Sequence, residues 1–172
     1  SDLDPYIYSG KEEAGAEPEL DRTAFAKSVE IALALRPILE AVGLKGFPKL
    51  SGKTGLHIFC PIVRNLDYES VRAFAATLGH HLLRQRPKEV TMEWSVPKRT
   101  GKIFYDHNQN VRGKTLASIY SPRPAPGAPV SVPVEWEELE SVYPTDFTVR
   151  TVLARLEERG DVWKGILDAK VD

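Results

Sequence analysis

An α+β fold, a central mixed or antiparallel sheet with flanking helices, is predicted by three observations. Apolar residues recur at helical spacing in three stretches, whereas the segments between them alternate with period two and end in Pro- or Gly-containing turns. The two kinds of segment mix without the strict alternation of a doubly wound sheet. The 172 residues, 42% of them hydrophobic, suffice for a single domain with one sizeable core and no covalent staples.

Asp2 to Tyr8 read as a strand, and Ser9 to Leu20, rich in Gly, Glu and Ala, as a loop. From Asp21 or Thr23 as N-cap, Phe25, Val29, Ala32, Leu35, Leu39 and Val42 recur on one helical face. Pro37 is expected to kink this helix and Gly43 to stop it. A short piece at Phe47 to Leu50 leads through the loop Ser51-Gly-Lys-Thr-Gly55 into a strand over Leu56 to Val63. Its aliphatic row, Leu56, Ile58, Cys60 and Ile62, leaves His57 on the other face. Asp67 or Glu69 starts a second helix with the stripe Val71, Phe74, Ala75, Leu78 and Leu82, which ends before Pro87. Strand-like segments follow at Val90 to Trp94, Lys102 to Asp106, Leu116 to Tyr120 and Pro129 to Val134. A third helix is predicted over Thr145 to Gly160 and a short piece over Val162 to Leu167.

The net charge of −1 excludes a protein that binds nucleic acid through bulk positive charge. Basic residues nevertheless gather between Arg64 and Arg123, flanked by the acidic stretches Lys11 to Asp21 and Glu135 to Glu140, which suits a local phosphate ligand. The single cysteine, Cys60, excludes a disulfide framework and a zinc cluster. With no run of about 18 apolar residues, a soluble cytoplasmic protein without a membrane partner is expected.

Asp2 and Asp4 stand at i and i+2, so on a strand both carboxylates aim at one face. Paired carboxylates suit hard cations such as Mg²⁺ or Mn²⁺, and Asp106, ending Lys102-Ile-Phe-Tyr-Asp106, offers a third. The Ser51 to Gly55 loop lacks Walker A spacing and is followed by a strand. Its two glycines would still let backbone N–H groups approach an anion, with Ser51, Lys53 and Thr54 adding donors. Singly, each feature has a plain reading: a solvated turn, a strand-entry turn, a structural histidine at His57. His80 and His81, adjacent on a helix, diverge too far to share a metal and carry no assigned role.

Asp-Leu-Asp-Pro, Ser-Gly-x-x-Gly-Leu-His, Lys-Arg-x-Gly-Lys-Ile-Phe-x-Asp106-x-x-Gln-Asn, Arg-Gly-Lys-Thr and Tyr-Ser-x-Arg123-x-x-Pro-Gly-Ala-Pro-Val-Ser-x-Pro-Val occur in this order. Together they resemble the polymerase domain of the ATP-dependent DNA ligase D family, within the archaeo-eukaryotic primase superfamily. The resemblance implies a primase-polymerase-like sheet and two Mn²⁺ or Mg²⁺ ions on Asp2, Asp4 and Asp106. It further implies an incoming nucleoside triphosphate held by Ser51, Lys53, His57, Gln109 and Arg123, with Arg99 and Lys114 as further nucleotide-binding residues. The implied activity is template-directed nucleotidyl transfer to DNA ends, preferring ribonucleotides, in prokaryotic non-homologous end joining. DNA primer-template, a Ku-type protein and a ligase module are the implied partners. Two departures stand out: Thr54 occupies the place where many relatives put the loop lysine, and relatives carry residues ahead of the paired aspartates. Residues 1–172 are therefore expected to be part of a domain, one that folds but extends primers poorly alone. The rival expectation is a non-catalytic nucleotide- or DNA-end-binding module that keeps the fold.

Overall fold

The computed structural model describes residues 1–4, 11 and 22–171. The expected loop over Ser9 to Leu20, apart from Lys11, the Asp21 cap and all of the first strand beyond Asp4 lie outside the described residues. Strand β1 is Asp2–Asp4, followed by α1 (Arg22–Ala41), β2 (Phe47–Leu50), β3 (Leu56–Phe59) and α2 (Tyr68–Gln85). Then come β4 (Val90–Thr91), β5 (Ile103–Asp106), β6 (Val132–Pro133) and α3 (Val152–Arg159).

The six strands form one mixed sheet in the order β4-β5-β1-β3-β2-β6. Among the described strand pairs only β4–β5 is parallel. Helices α1 and α2 pack on one face, where Leu3, Leu50, Leu56, Ile58 and Tyr105 meet Ile31, Leu35, Leu39, Leu78 and Leu82. Tyr105 fixes α2 to the sheet by donating its hydroxyl to the Ala75 carbonyl at 3.1 Å.

Helix α1 buries Phe25, Val29, Ala32, Leu35 and Leu39 as its periodicity requires, while Val42 is exposed just past its end. Its stop is a Schellman cap: Gly43 donates to Glu40 at 3.0 Å and Leu44 to Leu39 at 2.9 Å. Thr23 lies inside this helix and does not cap it, and Pro37 sits within an unbroken helical span. Asp67 caps α2, accepting the Ser70 N–H at 2.7 Å.

Further expectations need correction: the strand from Leu56 ends at Phe59 and not at Val63, and the one over Pro129 to Val134 shortens to Val132–Pro133. Leu116 to Tyr120 is no strand: it runs irregularly, its Ala117 carbonyl accepting Lys49 Nζ from β2. The third helix begins at Val152, because Thr148 and Thr151 close a turn on each other's backbone and side chains before it. The strand at Val90 stops at Thr91, whose hydroxyl accepts the Glu93 N–H at 3.1 Å and turns the chain away.

Candidate active site

Four strands assemble one polar row. Register pairs Lys49 with His57, His57 with Asp2, and Asp2 with Asp106, so β2, β3, β1 and β5 each place one side chain on the face opposite the helices. Asp4 shares that face, opposite Phe104, while Leu3 between the aspartates enters the core. The residues of this row are separated by up to 104 positions in the chain, yet each is the next one's cross-strand neighbour.

Each carboxylate faces a different partner. His57 Nε2 lies 3.4 Å from Asp2 Oδ1, Arg99 Nη1 lies 3.8 Å from Asp4 Oδ2, and Asp106 Oδ1 accepts the Asn108 N–H at 2.8 Å. Among the described residues, accordingly, no three His, Cys, Asp or Glu side chains close on one point. Asp2, Asp4 and Asp106 are brought together by backbone register and not by side-chain conformation.

Burial shapes the charges. It pushes Asp2 up to about 7, with the like charges of Asp106 and Asp4 adding to the effect. Burial also pulls His57 down to about 3, helped by Lys49 and Arg123, so its imidazole is neutral at pH 7. Lys49, fully buried, falls to about 8 through burial and the Arg123 charge.

Lys49 is the residue that sequence reasoning missed. Its Nζ donates to the Ala117 carbonyl at 2.7 Å and to Ser131 Oγ at 2.5 Å, and Ser131 Oγ donates on to the Leu50 carbonyl at 3.0 Å. The hairpin 121–131 is closed by Arg123 N–H to Pro129 at 2.7 Å and Ser131 N–H to Ser121 at 3.0 Å. Lys49 therefore ties the hairpin that carries Arg123 to the centre of the sheet. The available signal was a lone lysine inside the otherwise apolar strand Phe47-Pro-Lys-Leu50.

The loop 51–55 rests on that same hairpin. Gly52 takes φ +74°, and a Cβ there would stand 2.6 Å from the Val130 carbonyl carbon and 2.8 Å from Arg123 Cγ, so no larger residue fits. The loop's N–H groups, however, do not point outward as expected. Those of Lys53, Thr54 and Gly55 donate to Ser51 Oγ at 3.2, 3.1 and 2.7 Å, which makes Ser51 the organiser of the loop and leaves Lys53 exposed.

Three sequence-selected residues carry buried polar atoms with no hydrogen-bond partner: His57 Nδ1, Gln109 Oε1 and Arg123 Nε. Gln109, on the 3₁₀ turn Asn108–Asn110, lines a cavity of about 520 Å³ with Asp2 and His57, against apolar walls such as Leu44, Phe74 and Leu78. Ser51, Lys53, Arg123, Asp4, Asp106, Arg99 and Lys114 do not border that cavity, so one cleft shared by cations and carboxylates is not formed there. Arg99 is buried beside Asp4, its guanidinium 3.6 Å from the Phe104 ring centre and its Nε donating to the Glu93 carbonyl at 2.9 Å. Lys114 is exposed, with Nζ 5.9 Å from the Trp94 ring, on the Arg99 side of the carboxylates.

Against known proteins, the family model of the LigD primase-polymerase domain matches residues 17–163. The chain belongs to the LigD primase-polymerase family. Within this family it is 34% identical over 143 residues to the multifunctional non-homologous end joining protein LigD of Pseudomonas aeruginosa, covering 83% of this chain and 17% of that protein. It is 30% identical over 141 residues to the bifunctional non-homologous end joining protein LigD of Bacillus subtilis, covering 81% of this chain and 23% of that protein. The solved polymerase domain of Mycobacterium tuberculosis ligase D, in complex with DNA, superposes with a TM-score of 0.78 at 29% identity, covering 97% of this chain and 53% of that one. The chain thus spans less than a quarter of these two LigD relatives and about half of the solved polymerase chain. The α+β sheet predicted from sequence is the LigD polymerase fold. No described helix is long and apolar enough to cross a membrane.

Proposed function

We propose that this chain is the nucleotide-adding part of a template-directed polymerase-primase acting on DNA ends in non-homologous end joining. The observation that carries the proposal is the row Lys49–His57–Asp2–Asp106, with Asp4 beside it and the Arg123 hairpin tied to its end. The LigD relatives are named for end joining, and the solved M. tuberculosis domain is in complex with DNA.

The donor set suits two divalent ions, Mn²⁺ or Mg²⁺. It consists of hard carboxylate oxygens at adjacent register positions, and Asp2 is buried among like charges that a cation would offset. Asp2, Asp4 and Asp106 would hold these ions. When bound, such ions activate the attacking oxygen and neutralise charge on the phosphates.

The chain's own residues do the remaining work. Arg123, with Nε unpartnered, binds triphosphate oxygens, and Lys49 holds the hairpin that presents it. Neutral His57, whose Nε2 lies beside Asp2, offers Nδ1 as a hydrogen-bonding atom, and Gln109 offers its amide. Ser51 folds the loop so that Lys53 reaches solvent, where it meets the outer phosphates as a point charge. Arg99 beside Asp4 and exposed Lys114 add positive charge on the far side of the carboxylates. Acceleration comes from positioning and charge neutralisation, and the 3′-oxygen of a primer is the nucleophile. A preference for ribonucleotides, a Ku-type partner and a ligase module belong to this same reading.

One observation favours the rival, a binding module: each of the three carboxylates is turned to its own neighbour. Primer extension on DNA with a recessed 3′ end, nucleoside triphosphates and Mn²⁺ decides between the two. Template-dependent extension that disappears in Asp106→Asn supports the polymerase. Nucleotide and DNA binding with no extension in either Mn²⁺ or Mg²⁺ would replace it with the binding module.

A further inference from the structure

We infer that Trp94 is the stacking platform for a base of the primer strand near its 3′ end, an assignment that rests on the polymerase reading above. Trp94 is 62% exposed, a large area for an indole, yet it is held from beneath. Its ring meets Phe104 edge-on at 6.1 Å and 71°, and its carbonyl accepts Arg99 Nη2 at 2.6 Å. The Arg99 guanidinium lies 5.7 Å from the same ring. An aromatic face that is fixed in place and open to solvent is what nucleic-acid proteins use to stack bases of any sequence. Cations for the adjoining phosphates are at hand: the exposed Lys114 places Nζ over the ring at 5.9 Å, a long side chain that a stacking base would displace toward its own phosphates, and exposed Lys98 follows in the chain, paired with Glu93 at 3.5 Å.

Its place in the sheet selects the strand. Phe104 is the register partner of Asp4, so Trp94 stands on the β4–β5 side of the carboxylates. His57, the Ser51 loop and the Arg123 hairpin stand on the β3–β2 side. In an in-line displacement the attacking oxygen and the leaving pyrophosphate lie on opposite sides of the reacting phosphorus. With the triphosphate gathered on the β3–β2 side, the strand bearing the attacking 3′-oxygen arrives over β4–β5, across Trp94. The base on the indole therefore belongs to the primer and not to the incoming nucleotide.

The test compares the unaltered chain with Trp94→Phe, Trp94→Leu and Trp94→Ala, each checked for an unchanged thermal midpoint. Titrations use primer-template DNA with a recessed 3′ end, the same DNA with an abasic primer terminus or an abasic template position, and a nucleoside triphosphate alone. Trp94→Ala and Trp94→Leu should bind the intact DNA about 5- to 100-fold more weakly, the worth of one base stack, and Trp94→Phe should recover most of the affinity. DNA should quench indole emission in the unaltered chain and much less in Trp94→Phe. An abasic primer terminus should erase the difference between variants, and an abasic template should preserve it. Equal DNA affinity in Trp94→Ala, a dependence on the template base instead, or a loss confined to triphosphate affinity each overturns the assignment. Failure of the unaltered chain to bind DNA at all overturns the proposed function itself.

Discussion

Asp2 and Glu138 are both carboxylates removed from water, and the protein treats them in opposite ways. Glu138, ending the 3₁₀ turn Trp136–Glu138, accepts both Arg155 guanidinium nitrogens at 2.8 Å and the Glu135 N–H at 2.8 Å. Burial tends to raise its pKa, but the Arg155 bond and the backbone donor outweigh that and hold it below the usual carboxylate range. Asp2 is pushed up to about 7 by burial, with the like charges of Asp106 and Asp4 adding to it and the Ser1 ammonium opposing it. Around it Lys49 is depressed to about 8 and His57 to about 3, and buried atoms of His57 and Arg123 have no partner. The Glu138 region is a buttress whose polar groups satisfy one another. The Asp2 region leaves stability unclaimed, as sites that must bind a charged ligand do.

The sharpest way to break this contrast is Asp106→Asn, which keeps an oxygen to accept the Asn108 N–H but deletes one charge of the proposed metal-binding set. Primer extension in Mn²⁺ should fall about 10³-fold, the scale of several kcal/mol of lost charge stabilisation. The urea midpoint should stay level or rise, because a repulsive neighbour of Asp2 has gone. A clear fall in stability would show that the row is structural.

Next in size is Arg155→Ala in the buttress. It takes the bidentate partner from a buried carboxylate, leaving Arg159 at 3.4 Å as its remaining cation, and should cost about 3 kcal/mol in urea unfolding at pH 7. Because the folded Glu138 pKa lies below its ordinary 4.5, the pair's contribution is complete above that value and is lost as pH falls through the folded value. The gap between variant and parent should therefore narrow below about pH 4. A gap independent of pH would mean that packing of Arg155 on Phe147, 4.6 Å away, carries the effect.

Arg123→Ala should weaken nucleoside triphosphate binding by about 1.5–3 kcal/mol in calorimetry and leave the thermal midpoint nearly unchanged. Unaltered affinity would remove Arg123 from the site. The smallest effect is expected of Lys49→Met. Losing a buried ammonium offsets losing its hydrogen bonds, so stability should move by about 1 kcal/mol or less. Triphosphate affinity should still fall several-fold, because the Arg123 hairpin loses its tether. Full retention of affinity would reduce Lys49 to a core residue.

Much of this was legible in the chain alone, and the legible parts are local. The Phe25-to-Leu39 stripe, the Gly43 stop, the Asp67 cap and the i, i+2 carboxylates depend on residues within a turn or a pleat of one another. Tertiary structure decided the rest. A period-two pattern alone cannot tell a strand that finds a partner from one that does not, which is why Leu116 to Tyr120 is irregular. At Ser51 the sequence shows the hydroxyl but not the three N–H groups that converge on its oxygen. Lys49 and Trp94 were passed over for the same reason: one becomes central only when β2 lies beside β3, the other open only when the chain turns at Thr91. Sequence periodicity reports which face of its own element a residue occupies. Which residues face each other across elements is set by strand order and register, which are non-local pairings that no short window contains.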